Sequence, residues 1–436
     1  MSFFSSTGRQ ESRPSGTRGP SLVPTTLSFS RTFRAFRHGD FRLMWIGACT
    51  STIGTFVQQF AQSWLIYDLT KNPFYLGLDL FLGQLPIILF SLVGGVFADR
   101  MDRRKMLLSS QYIQMTCAFV LTALFLTHAV KVWHILSLSF VVGLGQSFGG
   151  PAYSALLPTL VPADDLSNAI AMNSIQFNLA RILGPTLGGL AYATLGATWC
   201  FALNGVSFLA VILSLMMIQV KFVPARSKET ILKSMGEGIA FIRQREGLAP
   251  LVFLAFSMTL LGFSLTGFLP VMVRTVFHRG PQTYQLLLVC SGAGSIVGAL
   301  MVAALGRLKG QGHVALLTLL ALGTAIAGFA MSRWLPLSCL LIFIGGAAIM
   351  ASASLMLSLV QLIVSEQMRG RVMSVYNLAF RAGIPLGGLA LGKLIPIVGI
   401  TAALGGSGIL LIAVTLIFLI VMRGVATFRR AAEVEG

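Results

Sequence analysis

Acid is scarce in this chain: 14 Asp and Glu stand against 32 Lys and Arg in 436 residues, and only 11% of positions are charged. A soluble domain keeps roughly a quarter of its positions charged, so water is excluded as the solvent for most of this surface. Cys49, Cys117, Cys200, Cys290 and Cys339 are the whole cysteine complement, and no two are closely spaced. That excludes a disulfide framework and a thiolate metal cluster. Histidine is equally sparse, and His128, His134 and His278 fall near the ends of apolar stretches, so no buried imidazole relay is expected. Neither an HExxH helix nor a GxxxxGK[ST] phosphate loop occurs, which argues against a metallohydrolase or a nucleotide-driven pump. No enzyme, metal or cofactor is expected.

What fills the chain instead is apolar surface, with 55% hydrophobic residues and a mean hydropathy of +0.81. Stretches long enough to cross a bilayer recur at roughly 43–67, 74–98, 107–128, 134–158, 168–193 and 199–220, and again at roughly 249–273, 284–305, 314–331, 336–363, 372–394 and 400–422. About twelve spans make this an all-α integral membrane protein.

The net charge of +18 is one of distribution and gives no nucleic-acid surface. With both termini inside, most basic residues fall on the cytoplasmic side, in Arg31 to Arg42, Arg100 to Lys105 and Lys221 to Arg245. Lys71, Lys131, Arg274, Arg279 and Arg333 form the outside minority. The expected location is therefore the inner or plasma membrane, with the bilayer as the principal partner.

A shift of 200 residues lays Gly145 on Gly345, Ser154 on Ser354, Ser174 on Ser374, Arg181 on Arg381 and Pro185 on Pro385. An intramembrane Arg four residues before a Pro in both copies indicates two pseudo-symmetric six-helix bundles. The division predicted is a disordered basic cytoplasmic tail over 1–40, a first bundle over 41–220, a cytoplasmic linker helix over 221–248, a second bundle over 249–423 and a tail over 424–436. In the linker, Ile231, Leu232, Met235, Ile239 and Ile242 recur at helical spacing.

Charged side chains inside a bilayer are costly and are functional candidates by default. Asp79 lies roughly 8 Å from the outer end of the second span, and Arg181 and Arg381 lie roughly 15 to 20 Å from the cytoplasmic ends of the fifth and eleventh. Asp79 is read as a proton carrier or as an ion-pair partner of an Arg, and the two arginines as attractors of an anionic or polar substrate. Gln58, Gln59 and Gln62 of the first span, Gln84, Gln146, Asn173, Asn178 and Asn377 are candidates for a polar cavity wall, with interhelical hydrogen bonding sufficient for half of them. Trp64, Tyr67 and Trp334 fit interfacial belts.

The run GGVFADRMDRRK, from Gly94 to Lys105, breaks a span into water with an acid and a basic cluster. It resembles the signature between the second and third helices of the major facilitator superfamily, with Asp102 where that family usually has Gly. The resemblance implies that Gly95, Asp99, Arg100, Asp102, Arg103 and Arg104 belong to a gate in which Asp99 and Arg100 latch the halves on the cytoplasmic side. In the fifth span, Ala180, Gly184, Pro185, Gly188 and Gly189 resemble the superfamily's antiporter signature, with Ala180 for its first Gly. Gly184 and Gly188 make a small-xxx-small face, Pro185 bends the helix, and Gly294 and Gly298 of the eighth span offer a matching face. By the resemblance, these two helices meet across the halves and seal one side of the pathway. A further antiporter motif expects an Arg where this chain has Ser139.

The strings FRLMWIGACTSTIGTFVQQFAQSWLIYDLT, GGPAYSALLPTLVPADDLSNAIAMNS and RGRVMSVYNLAF are similar to the branch that contains enterobactin exporters and macrolide efflux pumps, often labelled transmembrane secretion effectors. That resemblance implies the major facilitator fold and export of a small-molecule substrate, a siderophore, macrolide or similar amphiphile, by alternating access with protons as coupling ion. A monomer suffices, since both halves lie in one chain. A facilitator or importer of a polar solute on the same fold, or a membrane sensor that transports nothing, are the alternatives.

Overall fold

In a bilayer every backbone N–H and C=O must be satisfied within its own segment, and this chain answers with helices joined by tight turns. The structure is a computed structural model that describes residues 33–218, 231–245, 247–305 and 310–421. In order the helices are α1 (Gly39–Thr70), α2 (Pro73–Arg100), α3 (Arg103–Leu126), α4 (Val132–Leu156), α5 (Ala163–Thr194), α6 (Ala197–Met217) and α7 (Ile231–Gln244). Then follow α8 (Leu248–Leu261), α9 (Leu269–Thr275), α10 (Pro281–Leu305), α11 (Gln311–Met331), α12 (Leu335–Ile363), α13 (Glu366–Val398) and α14 (Ile400–Val421).

Ten stretches among the described residues are long and apolar enough to cross a membrane, with α8 and α9 counted as one broken span. The α1 and α5 helices complete the set. Each is 32 residues long and fails the same test because its length is punctuated by Gln, Asn, Ser and Thr. Thr50, Thr52 and Thr55 return their hydroxyls to carbonyls one turn back, at 2.7 to 3.0 Å, which removes much of their cost inside the membrane.

The turns repeat with the bundles. Gly196 (φ 88°) opens α6 after α5, and Gly399 (φ 82°) joins α13 to α14, a left-handed conformation that favours glycine. Packing repeats too: α2 lies on α4 as α10 lies on α12, α3 on α4 as α11 on α12, α3 on α6 as α11 on α14, and α1 on α5 as α8 on α13. Between the halves α2 meets α13, and its symmetry mate α10 meets α5. Two pseudo-symmetric six-helix bundles result.

Several expectations are corrected by this packing. Residues 34–40, placed in the tail, are folded: Arg34–Arg37 forms a 3-10 turn, Ala35 is buried with its N–H on Asn168 Oδ1 at 2.9 Å, and His38 contacts Asp165 at 2.8 Å. The aromatic pair Phe36 and Trp45, with ring centroids 5.0 Å apart, pins that segment to α1. Trp64 and Tyr67, expected at a lipid interface, are buried between the halves, whereas Trp334 is 67% exposed. The tails over 1–32 and 424–436, and the first part of the linker with the side chains of Ile231 and Leu232, lie outside the described residues. The rest of the linker is the α7 helix, docked on α13 through Glu237 and Arg371, 2.5 Å apart, with Ile242 buried and Ile239 exposed.

Gly145–Gly149 reads GQSFG, the spacing of a hydrolase nucleophile elbow. It lies inside continuous α4, where Ser147 donates to its own helix at Leu144 O, 2.7 Å. An elbow requires a strand, a strained turn and a helix, so the match carries no catalysis.

Candidate functional site

A cavity of about 380 Å³ lies between the two bundles. Its walls differ. The first half contributes Gln58, Gln59 and Gln62 from α1, Asp79 and Gln84 from α2, Gln114 from α3, Ser139 and Gln146 from α4, Arg181 from α5 and Asn204 from α6. The second half contributes Thr266, Gly267, Tyr284, Leu288, Ser291 and Ile384, none of them charged. Phe56, Phe60, Phe177 and Phe208 supply aromatic surface, so the site combines apolar area with a few placed polar groups, as small-molecule pockets do.

Asp79 is held by neutral donors. Gln62 Nε2 donates to its two carboxylate oxygens at 3.0 and 2.9 Å, and Ser139 Oγ donates to Oδ1 at 2.6 Å. The Arg that the antiporter motif expects at Ser139 is thus replaced by a hydroxyl that serves the α2 carboxylate directly. A second line runs from Gln146 Nε2 to Gln114 Oε1 at 3.2 Å, then from Gln114 to Ser110 Oγ at 3.1 Å.

The cavity is closed toward the face that carries residues 71–73 and 276–280. There Gly77 of α2 lies against the Gly388 backbone and Gly392 of α13, and Leu80 fills the space beside Gly267 and Gly388. Arg274 reaches Asp68 across the halves at 3.0 Å and places its guanidinium 4.6 Å from the Trp64 ring centroid. Tyr284 stacks on Phe60 with centroids 4.9 Å apart.

Of the residues singled out in the sequence, Gln58, Gln59, Gln62, Asp79, Gln84, Gln146, Arg181 and Pro185 line this cavity together. Asn178, Asn377 and Arg381 do not. Asn178 turns its amide back to Ser174 O at 2.9 Å on its own helix. Asn377 and Arg381 are exposed on the stretch of α13 between the Gly388 contact and the basic face, where that helix has left α2 behind. Asn173 accepts the Tyr153 hydroxyl at 2.5 Å and is interhelical glue.

The glycines of α5 and α10 are assigned differently by the structure than by the motif. The two helices do meet across the halves, but through Gly189 against Gln285 and Gly292 against Ile182, with Gln285 Nε2 donating to Thr186 O at 2.9 Å. Gly184 and Gly188 face α1 at Phe56, Val57 and Phe60 within their own half, and Gly294 and Gly298 face Phe343 and Ala347 of α12 within theirs.

The basic junction also works inside one half. Asp102 caps α3 by accepting from Arg104 N at 3.0 Å and Lys105 N at 3.4 Å, which gives the Asp in place of the usual Gly a local purpose. Arg103 binds Ala98 O and Ala155 O, and Arg104 binds Met216 O at 2.7 Å, tying α2, α4 and α6 to α3. Gly95 faces open space and Arg100 is exposed; the Asp99 side chain lies outside the described residues. In this arrangement the described groups of the junction brace one bundle and form no latch between two. Asp102→Ala should therefore lower unfolding stability by about 1 kcal/mol through loss of the cap, read as a lower midpoint in a thermal-shift assay with transport retained.

A family model described as transmembrane secretion effector matches residues 30–429. The chain belongs to this family. Macrolide efflux protein A of Streptococcus pyogenes is 22% identical over 355 residues, covering 80% of this chain and 87% of that protein. The enterobactin exporter EntS of Escherichia coli O1:K1 / APEC is 26% identical over 406 residues, covering 90% and 94%. Among solved structures, the nucleoside transporter NupG superposes with a TM-score of 0.70 at 14% identity, covering 87% of this chain and 99% of that one. A bacterial homologue of the human lysosomal transporter Spinster superposes with 0.65 at 14% identity, covering 93% and 98%. At such identities the superpositions establish the fold alone. Transmembrane secretion effectors are multi-pass membrane transporters, and the protein is a transporter, not an enzyme.

Sequence reasoning missed Asn204, Gln114, Tyr284 and the broken span. Between α8 and α9 the chain runs as a 3-10 segment, Phe263–Phe268, and Thr266 and Gly267 of that break line the cavity. Discontinuous helices recur at transporter binding sites because unwound backbone there meets the cavity and is shielded from lipid. Gly262, Gly267 and Pro270 in one span were the signal for it.

Proposed function

We propose that this transmembrane secretion effector exports a small amphiphile from the cytoplasm by alternating access, with protons entering in exchange and Asp79 carrying them. The observation that carries the reading is a carboxylate on the wall of the central cavity, held by an amide and a hydroxyl. Such a group is free to exchange a proton with cavity water without breaking an ion pair. The positive-inside rule orients the basic face to the cytoplasm. The cavity then opens inward, where an export substrate enters, and the Gly77 and Arg274 contacts close the outside.

The substrate proposed is of the macrolide or siderophore kind that names the relatives: apolar rings for Phe56, Phe177 and Tyr284, oxygens for the amides, and a polar or anionic group for Arg181. Each proton that enters at 100 mV contributes about 2.3 kcal/mol, sufficient for well over tenfold uphill export of a neutral molecule. A single chain supplies both walls, so the working unit proposed is the monomer.

Proteoliposomes test this. Uphill movement of a labelled macrolide or catecholate siderophore should require an imposed proton gradient and collapse on addition of a protonophore. Flux that survives the protonophore unchanged assigns a facilitator instead. A thermal-shift screen of the same compounds on purified protein supplies the ligand: at a hundred times its dissociation constant a binder stabilises the fold by about 2.7 kcal/mol.

A further inference from the structure

Asp79 is the end of a longer line. Gln62, whose Nε2 serves the carboxylate, accepts at Oε1 from Gln58 Nε2 at 3.3 Å; Gln58 Oε1 accepts from Asn204 Nδ2 at 2.7 Å; and Asn204 Oδ1 accepts from Ser207 Oγ at 3.2 Å. Every link points the same way, toward the carboxylate, and the line crosses from α2 through α1 to α6. Gln58, Asn204 and Ser207 are buried, so the groups satisfy one another with little water.

A primary amide carries a donor and an acceptor at nearly interchangeable positions. Rotating the three amide groups by half a turn exchanges each O with its N and therefore reverses the line while the occupied positions stay nearly the same. In the reversed line a protonated Asp79 donates its O–H to Gln62 Oε1, Gln62 Nε2 donates to Gln58 Oε1, Gln58 Nε2 to Asn204 Oδ1, and Asn204 Nδ2 to Ser207 Oγ. The Ser207 hydroxyl keeps an acceptor in both cases, because Asn204 O lies 2.8 Å away. Ser139, whose Oγ accepts from Gln62 Nε2 at 3.0 Å before the reversal, gives up that donor and goes on donating to Asp79 Oδ1. One proton, taken from cavity water, thus inverts four links at the loss of the single Gln62–Ser139 contact. A half-reversed line would set two donors or two acceptors face to face, which a low-dielectric interior penalises, so the reversal is concerted.

We propose that Gln62, Gln58 and Asn204 are a reversible amide relay that reports the charge state of Asp79 to α6 and inverts the hydrogen-bonding polarity of the cavity wall. A substrate group seated at Gln58 or Asn204 then meets donors in one state and acceptors in the other, which ties its release to proton uptake. The relay deepens the proton-exchange reading above and rests on it.

Other charges around Asp79 leave the relay as its main partner. Arg181 of α5 and Tyr284 of α10 line the same cavity. On α13, which packs along α2, Arg381 and Lys393 are exposed. On α1, Asp68 is engaged with Arg274 and Lys71 at the far end. The α3 helix bears its charges at residues 103–105, at the basic end, α4 carries His134 near its start, and Phe263–Phe268 has none.

Infrared difference spectroscopy tests the relay without knowledge of the substrate. The full-length protein in lipid nanodiscs, labelled with 13C at the asparagine side-chain carbonyl, is titrated from neutral to acidic pH. The expected result is a protonated-carboxyl band accompanied by a shift of the labelled amide band. Gln58→Leu should keep the carboxyl band and lose the amide shift, and Asp79→Asn should lose the Asp79 component of the carboxyl band together with the amide shift. A carboxyl band in the unsubstituted protein with no amide shift, or an amide shift that survives Gln58→Leu, overturns the relay and leaves the proton-carrier reading standing. A carboxyl band undiminished in Asp79→Asn relative to the wild type, whose other acidic residues also contribute to it, overturns that reading and the relay with it. The first comparison needs no variant and so does not depend on how the variants fold.

Discussion

Asp79→Asn is expected to abolish uphill export while leaving the binding site intact. The accumulation ratio in proteoliposomes should fall from well over tenfold toward unity, because the variant has no group to carry charge against the 2.3 kcal/mol per 100 mV that drives the wild type. The substitution is isosteric, and an Asn Nδ2 at this position can donate to Gln62 Oε1 as a protonated acid would. The relay would then be fixed in its reversed polarity. Accordingly, substrate affinity of Asp79→Asn should be independent of pH and should match the affinity of the wild type at acidic pH. Energised export at the wild-type level in the variant would remove Asp79 from the mechanism. Gln62→Leu makes the complementary case: it keeps the carboxyl group and deprives it of the donor that spans both its oxygens.

How much of this was legible beforehand follows from the range of each interaction. Bilayer insertion acts on long windows of composition, so twelve spans, the 200-residue repeat and the basic face can be read from the chain itself. Intramembrane charge is rare and costly, which singles out Asp79 and Arg181, and both line the cavity. The same argument singles out Arg381, which does not line the cavity. The repeat relates it to Arg181 in sequence, but the cavity breaks that symmetry: the first half supplies every charge on its wall, and α13 leans on α2 through Gly388 instead of presenting its Arg. Glycine runs fared likewise. A small-xxx-small face says that another backbone comes close and says nothing of which one, and Gly184, Gly188, Gly294 and Gly298 all turned inward to their own bundles. Asn204 was invisible because one amide in an apolar span has no pattern; its meaning comes from Gln58, which is 146 residues away in the chain and 2.7 Å away in space.

The closed face invites a wedge. A side chain added at Gly77 would strike the Gly388 carbonyl across the two halves, and helix backbones at such a contact cannot yield as a flexible side chain does. In an ordinary core, overpacking costs about 1–3 kcal/mol whatever the state. Here the clash exists only while α2 and α13 are in contact, so the same energy becomes a difference between two conformations. Gly77→Leu should shift the equilibrium by roughly 5- to 150-fold toward the form in which this face is open, and transport should fall at least about tenfold because the cycle needs both forms. Spin labels at Ala129 and Arg333, exposed on the same face in the two halves, report it as a longer distance distribution. Gly95→Leu is the control, since a Cβ there on the same helix meets nothing within 4 Å and should leave distances and flux as in the wild type. Unchanged distances in Gly77→Leu would mean that the α2 and α13 contact is permanent. The halves would then have to move about some other line, and the outer seal assigned to Gly77, Gly388 and the Arg274–Asp68 pair would be a structural joint.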